Sequence, residues 1–231
     1  SDPQWAHEEH PLGLTYFDSA HNCAALLGMK YFGEHKKGTL TLAWSIANRH
    51  DYACCHGGCK TFNPDSASPY TLAVFGLSGS GKSTLTHAKH EGKYDIRVLH
   101  DDAFIISTKY FSSFALEPSY FDKTADYPAS SPDNKYLLTV QNCGVTLDED
   151  GKKIIVSEDI RNGNGRAVKS RLWSPNRVDV LHQPMTAVAW IMKDPVLPPL
   201  VRVHDPQVAA LMGATLSTKR SNAERLAKGV D

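Results

Sequence analysis

The residues of this 231-residue chain with the clearest chemical character fall in a few short stretches. Gly76-Leu77-Ser78-Gly79-Ser80-Gly81-Lys82-Ser83-Thr84 contains Gly-x4-Gly-Lys-Ser, the pattern of a loop that cradles phosphates. Glycines let the backbone wrap closely around an anion, amide N–H groups point inward, and a following helix start adds the positive end of its dipole. In such a loop the Lys82 amine reaches the β- and γ-phosphates of a nucleoside triphosphate, and the Ser83 hydroxyl ligates Mg²⁺. Asp101-Asp102 closes an apolar run about where a Walker-B acidic pair stands. A carboxylate there binds the nucleotide's metal directly or through water. The plainer alternative is an acidic turn at a strand end.

Other stretches read in more than one way. Cys54-Cys55-His56-Gly57-Gly58-Cys59 offers soft ligands, but a structural zinc site wants four, usually as two separated pairs. Only Cys23 and Cys143 remain as distant thiols. Buried thiols flanking a glycine turn explain the cluster equally well, and His56 as a metal ligand of an active site is the third reading. Lys36-Lys37 fits a solvated helix start, Lys123 a surface lysine, and Arg166 a polar loop, unless a site recruits them.

The elements that must hold these residues follow from periodicity. Leu40, Trp44 and Ala47 recur at helical spacing within Lys36–Arg49, predicting a helix with a buried face. Thr71–Phe75 is expected to be a buried strand, 76–81 a loop and Ser83–His90 a short helix. Ile96–His100 is expected to be a second strand ending on Asp101-Asp102. Asn63–Pro69 reads as a turn-rich linker. Tyr136–Val140 and Lys153–Ser157, around the turn Asp148–Gly151, predict β structure, as does Thr186–Met192. From Val208 the chain is expected to be helical or frayed.

Composition excludes several partners. Twenty-five basic and 25 acidic side chains leave no net charge, which argues against nucleic acid or an anionic membrane. No apolar run approaches the roughly 20 residues that span a bilayer. Ser1-Asp-Pro-Gln-Trp5 lacks the layout of a secretory signal. Five cysteines make no disulfide framework for a chain this size, so a reducing, cytoplasmic setting is expected. With no initiator methionine, the chain is expected to be part of a longer protein.

In order, Gly33-Glu34-His35-Lys36-Lys37-Gly38, His56, Phe75-Gly-Leu-Ser-Gly-Ser-Gly-Lys-Ser-Thr84 and Asp101-Asp102 resemble the nucleotide domain of phosphoenolpyruvate carboxykinase, the ATP-dependent branch more closely. Leu116-Glu-Pro-Ser-Tyr-Phe-Asp-Lys-Thr124 resembles that family's Phe-Glu-Gly-Gly-Cys-Tyr-Ala-Lys-Thr. Asn164-Gly-Arg166 resembles its Asn-Thr-Arg, and Leu197-Pro-Pro199 its Val-Leu-Pro-Pro turn. The resemblance implies that Lys37, His56 and Asp102 bind Mn²⁺ or Mg²⁺. A lysine ligand must be neutral, so its amine needs a pKa depressed by burial beside the cation. It further implies that Ser83 and the phosphates of ATP hold a second Mg²⁺, and that Lys82, Lys123 and Arg166 neutralise the phosphoryl group in flight. In the family, oxaloacetate loses its carboxylate to give an enolate that takes the γ-phosphate.

The departures are also specific. Ala103-Phe-Ile-Ile106 follows the aspartates where the family has Glu-His-Gly-Trp, and Pro118-Ser119 replaces paired glycines. Gly213-Ala-Thr-Leu-Ser217 keeps the outline of a Gly-x-Thr-Ala-Lys stretch without its lysine. The arginine and tyrosine that hold the organic acid in the family, and its adenine contacts, are expected in N- and C-terminal segments outside this chain. The expected architecture is an α/β, mixed-sheet P-loop domain of phosphoenolpyruvate carboxykinase type. It would comprise a lead-in over 1–30, a nucleotide- and metal-binding domain over 31–205, and a C-terminal segment over 206–231. A kinase with another acceptor, or a nucleotide-binding domain whose catalytic residues have drifted, are the alternatives.

Overall fold

Two four-stranded sheets carry the centre of the molecule in a computed structural model that describes residues 2–29, 32–77, 79–124, 131–141, 143–156, 165–192, 194 and 196–214. Before them come a hairpin of β1 (Leu14–Asp18) with β2 (Cys23–Leu27) and the helix α1 (Phe32–Arg49). Gly33, Leu40 and Ala47 are spaced by two helical turns and all are buried, which sets the inner face of α1 against β2 and the strand after it.

One central sheet has the order β15-β5-β4-β6, with β4 (Gly58–Phe62), β5 (Tyr70–Gly76), β6 (Ile96–His100) and β15 (Ala187–Ile191). β4 is antiparallel to both β5 and β6, so those two run parallel to each other; β15 is parallel to β5. Gly76 and His100, the last residues of β5 and β6, therefore come to the same edge of the sheet. The other central sheet has the order β14-β8-β7-β3, built from β3 (Tyr52–His56), β7 (Ala103–Ser107), β8 (Ser113–Ala115) and β14 (Val180–Leu181). Cys55, Cys59, Ala73, Leu99, Phe104 and Leu181 form the buried core shared by the two sheets, with Phe75 and Ile106 packed against it.

The chain passes between these sheets twice at one spot. It leaves β3 at His56 and enters β4 at Gly58; it leaves β6 at His100 and enters β7 at Ala103. The crossings touch, because Gly57 N–H donates to the Asp102 carbonyl at 2.9 Å and His56 registers with Ala103. Gly57 has no room for a side chain: a Cβ would lie 2.5 Å from the Val74 carbonyl oxygen. Gly58 has still less, since its Cβ would sit 1.8 Å from Thr86 Oγ1 in the helix α2 (Lys82–His87), which packs on β4 and β5.

A third sheet, of order β10-β13-β9, lies beyond, made of β9 (Tyr120–Lys123), β10 (Leu137–Gln141) and β13 (Arg166–Lys169). A hairpin of β11 (Gly144–Leu147) with β12 (Lys153–Val156) is inserted in it. α3 (Pro206–Ala214) closes the described chain, and a Cβ on its Gly213 would strike the Trp190 ring at 2.6 Å. Among the described residues no helix is long and apolar enough to cross a membrane.

One expectation is corrected. Asn63–Pro69 is the loop of the β4–β5 hairpin and not a linker, since Phe62 registers directly with Tyr70. The β structure expected around the Asp148–Gly151 turn is present as β10 and β12, the latter pairing with β11. The glycine turn of the cysteine cluster is the sheet-to-sheet crossing itself. The expected frayed end and most of the Gly213–Ser217 stretch lie outside the described residues.

Candidate active site

Five of the expected site residues meet at the edge where β5 and β6 end. Asp102, in the second crossing, has both carboxylate oxygens engaged. His56 Nε2 donates to Oδ1 at 2.9 Å, and an amine donates to Oδ2 at 2.7 Å. That amine belongs to Lys36, not Lys37. Consecutive residues on an α-helix point about 100° apart. Lys36 lies on the same inward face as Gly33 and Leu40, its side chain only 10% exposed, while Lys37 faces solvent. The structure thus brings together two of the three expected metal ligands, and the neighbour of the third completes the group.

Burial lowers the affinity of the Lys36 amine for its proton, but the charges of Asp102 and Glu117 (Oε1 at 3.1 Å) outweigh it and raise the pKa. Burial alone would raise the Asp102 carboxyl; the hydrogen bond from His56 and the charge of Lys36 instead hold it well below the usual carboxylate range. Lys36 is therefore an ammonium here, and the neutral amine that a lysine ligand requires appears only once a cation takes over its role between the carboxylates. Two nitrogen donors within 3 Å of one carboxylate make a donor set that a divalent cation can use.

Asp101 looks the other way, toward the helix α2. His87 Nε2 stands 3.4 Å from its Oδ2, and contact with His87 and Ser83 lowers its pKa against the effect of burial. The corner that presents both aspartates is held by His100, fully buried, whose Nδ1 accepts the amides of Asp102 (3.1 Å) and Ala103 (3.2 Å). Its Nε2 donates to the Ser119 carbonyl at 3.1 Å.

The glycine loop runs from β5 into α2 along the same edge. Gly79 and Gly81 have φ of 77° and 106°, which a residue with a side chain rarely adopts, and the space around both is open. A Cβ on Gly76 would collide with Ser80 Oγ at 2.4 Å, which packs the start of the loop against its own turn. Ser80 Oγ is buried without a hydrogen-bond partner among the described residues, a polar atom facing inward at the loop. Burial lowers the Lys82 pKa, while the charges of Asp102 and Asp101 pull it back, so the Lys82 amine and the two aspartates share one field. Leu77, Ser83 and Thr84 are solvent-accessible; Ser78 lies outside the described residues.

The last two expected residues come together on the third sheet. Lys123 and Arg166 are directly opposed in the antiparallel register of β9 with β13. Opposed residues share a face, and like charges in that position repel unless an anion lies between them. β9 also ties this pair to the Asp102 group: Tyr120 stacks on His100 with ring centroids 5.3 Å apart, and the Lys36 amine sits 4.7 Å over Phe121. Lys123 follows two residues later.

Glu117 and His87 were not foreseen. Glu117 lay within a segment matched for its lysine, and His87 repeats Ser83 one helical turn on, a spacing that could have revealed it. The cysteine readings are resolved by burial. Cys55 and Cys59 belong to the core, and burial pushes the Cys55 thiol up to about 12 and Cys59 higher still. Cys54 faces outward, its thiol donating to the Trp44 carbonyl at 3.0 Å. Cys54 and Cys55 alternate across β3 and Cys59 lies in β4, and among the described residues the three sulfurs do not converge as one ligand group.

The phosphoenolpyruvate carboxykinase family model matches residues 3–225, and the chain belongs to that family. It is 27% identical over 216 residues to phosphoenolpyruvate carboxykinase (ATP) of Aeropyrum pernix, which covers 88% of this chain and 43% of that protein. A shorter stretch of 61 residues, 26% of this chain and 12% of the relative, is 38% identical to the glycosomal phosphoenolpyruvate carboxykinase (ATP) of Trypanosoma brucei brucei. The chain spans less than half the length of these curated relatives.

Proposed function

We propose that this chain is the nucleotide- and metal-binding part of an ATP-dependent phosphoenolpyruvate carboxykinase-type enzyme. In the longer protein it would couple phosphoryl transfer to decarboxylation of a small organic acid such as oxaloacetate. The observation that carries the reading is the convergence of Lys36, His56 and Asp102 at the sheet edge where the Gly76–Thr84 loop begins. A lone ATP-binding loop needs only Lys82, Ser83 and an aspartate; a second group of metal donors beside it suits a reaction with two charged oxygens to stabilise.

In this reading the loop amides and Lys82 hold the β- and γ-phosphates in a P-loop manner, and Ser83 with Asp101 binds the Mg²⁺ of the nucleotide. His56, Asp102 and the deprotonated Lys36, in the role expected of Lys37, hold the second cation, Mn²⁺ or Mg²⁺. When bound, the two cations supply Lewis-acid stabilisation of the phosphoryl and enolate oxygens. Lys123 and Arg166 offer the travelling phosphoryl group two positive charges on one face. His100 keeps the corner rigid, so that both carboxylates keep their aim.

The test is Mn²⁺ titration followed by electron paramagnetic resonance, with ATP binding measured separately by calorimetry. Asp102→Asn and His56→Ala are expected to lose the Mn²⁺ site, and Lys82→Ala to lose ATP. Lys36→Ala should weaken Mn²⁺ binding more than Lys37→Ala. Mn²⁺ binding that is unchanged in Asp102→Asn would sink the proposal.

A further inference from the structure

A second group of metal-ligating side chains lies far from the loop in sequence, in the segment before β1. His7, Glu9 and His10 each offer a ligand atom, and these atoms all lie within 4.8 Å of one another. We propose that His7, Glu9 and His10 form a peripheral binding site for a borderline first-row divalent cation, of which Zn²⁺ and Ni²⁺ are representative.

The backbone builds the cluster. His10 N–H donates to the His7 carbonyl at 3.1 Å, closing a turn, so two imidazoles three residues apart rise from the same side of it. Gly13 N–H donates in turn to the His10 carbonyl at 3.0 Å, joining the turn to β1. The other end is pinned as well: Asp2 N–H donates to the Leu26 carbonyl at 3.1 Å and Gly28 N–H to the Asp2 carbonyl at 2.7 Å. A Cβ on Gly28 would meet the Trp5 carbonyl oxygen at 2.7 Å, so the segment lies close against β2. The turn is thus held at both ends by the β1–β2 hairpin.

The rings are ordered against each other. Trp5 stacks on His7 at 5.7 Å between centroids, nearly parallel at 7°, and lies 6.4 Å from His10; the two imidazoles are 5.6 Å apart. The Glu9 amide donates to His7 Nδ1 at 3.2 Å, so a lone pair of that ring faces the turn, in a long contact that a cation replaces. All three ligands are exposed, which leaves water free to complete the coordination shell. Two imidazoles and one carboxylate favour Zn²⁺, Ni²⁺ or Cu²⁺, whereas Mg²⁺ and Ca²⁺ prefer oxygen. The site differs from the Asp102 centre in its place in the fold and in having no lysine among its donors.

Trp5 supplies a built-in reporter, since paramagnetic Ni²⁺ held by its stacking partners quenches indole fluorescence. The experiment is a Ni²⁺ titration of the whole untagged chain with a non-thiol reductant, read by tryptophan fluorescence and by calorimetry. Variants are His7→Ala, His10→Ala, Glu9→Gln, Trp5→Phe and Asp102→Asn. These side chains other than Asp102 are exposed or half-buried, and circular dichroism checks that each variant keeps its fold.

The expected result is saturable quenching by Ni²⁺ in the wild type that persists in Asp102→Asn, where one equivalent is bound. Each histidine variant should bind at least about tenfold more weakly, since even partners behind metal ligands cost that much. Trp5→Phe should bind Ni²⁺ by calorimetry yet lose most of the quenching, and excess Zn²⁺ should reverse the quenching in the wild type. Binding that survives both histidine variants, disappears with Asp102→Asn, or brings nickel–thiolate charge-transfer absorption would overturn the proposal. So would the absence of any stoichiometric Ni²⁺ binding.

Discussion

Lys60 should make the stability of this protein rise with pH well above neutrality. The side chain is fully buried in β4. Its amine donates to the carbonyls of Leu85 (2.5 Å) and Ala88 (3.3 Å) at the end of α2, and to His90 Nε2 at 2.9 Å. Burial lowers its pKa from 10.5 to about 8. The folded state therefore binds fewer protons than the unfolded chain between the two values. Stability is highest above the unfolded pKa and is lost as pH falls through the folded one. At about 1.36 kcal/mol per unit, a drop of roughly 2.5 units corresponds to about 3.4 kcal/mol, of which about 2.5 kcal/mol is regained between pH 7 and pH 10. The assay is urea unfolding at pH 7, 8, 9 and 10 for the wild type and for Lys60→Met, which keeps the length and removes the charge. Subtracting the two profiles cancels the cysteines and surface lysines that titrate in both. The difference is expected to climb by about 1.1 kcal/mol per pH unit above pH 8. A difference that stays flat within about 0.5 kcal/mol from pH 7 to pH 10 would refute the reasoning.

Other predictions follow from close contacts and register. Gly58→Ala should push α2 off β4, costing about 1–3 kcal/mol and weakening ATP binding while Mn²⁺ binding persists; Gly57→Ala should do the reverse, because it parts His56 from Asp102, and calorimetry with each ligand separates the two. Lys123→Met and Arg166→Met should each weaken phosphoryl binding, and the double variant should lose less than the sum, because both act on one anion; a double-mutant cycle on ATP affinity checks this. Phe104→Ala, fully buried and stacked on Phe75, should cost about 3–5 kcal/mol in urea unfolding with both ligand sites intact at low urea.

Much of the site was legible in the sequence because its pieces are local. The loop needs glycines at positive φ and a lysine at the helix start, and those constraints act within nine residues. The strands before and after it are mostly apolar, with Ala73, Val74, Ile96, Val98 and Leu99 buried. What could not be read is what depends on rotation or on distant pairing. Lys36 and Lys37 are indistinguishable as a dipeptide, and only the packing of α1 on the rest of the molecule, which buries Lys36 and leaves Lys37 exposed, selects between them. β4 was hidden because its residues, Gly58-Cys-Lys-Thr-Phe62, mix a glycine and a buried lysine into a central strand. Lys60 belongs there only because two helix-end carbonyls wait for its amine. Lys123 and Arg166 became partners through a β9–β13 register that spans 43 residues, beyond the reach of any local pattern.

The same physics accounts for why the metal donors meet where they do. A chain that passes from one sheet to another must break its ladder, and the freed backbone groups need partners. Two such passages side by side satisfy each other, as the Gly57 amide and the Asp102 carbonyl do here. Glycine is required at 57 and 58 because β5 and α2 press on the first passage, and His100 is required at the second because two successive amides there need one acceptor. His56 and Asp102 lie in these paired passages, so their side chains approach each other as a consequence of how the sheets are joined. The site is then as rigid as the sheet junction itself. Catalytic groups need that rigidity, since their electrostatic effect depends on not having to reorganise as charge moves. The His-Gly-Gly-Cys sequence thus carries a fold constraint and, in the proposed function, a ligand in four residues: the glycines and the buried Cys59 do the joining, which leaves the histidine side chain to Asp102.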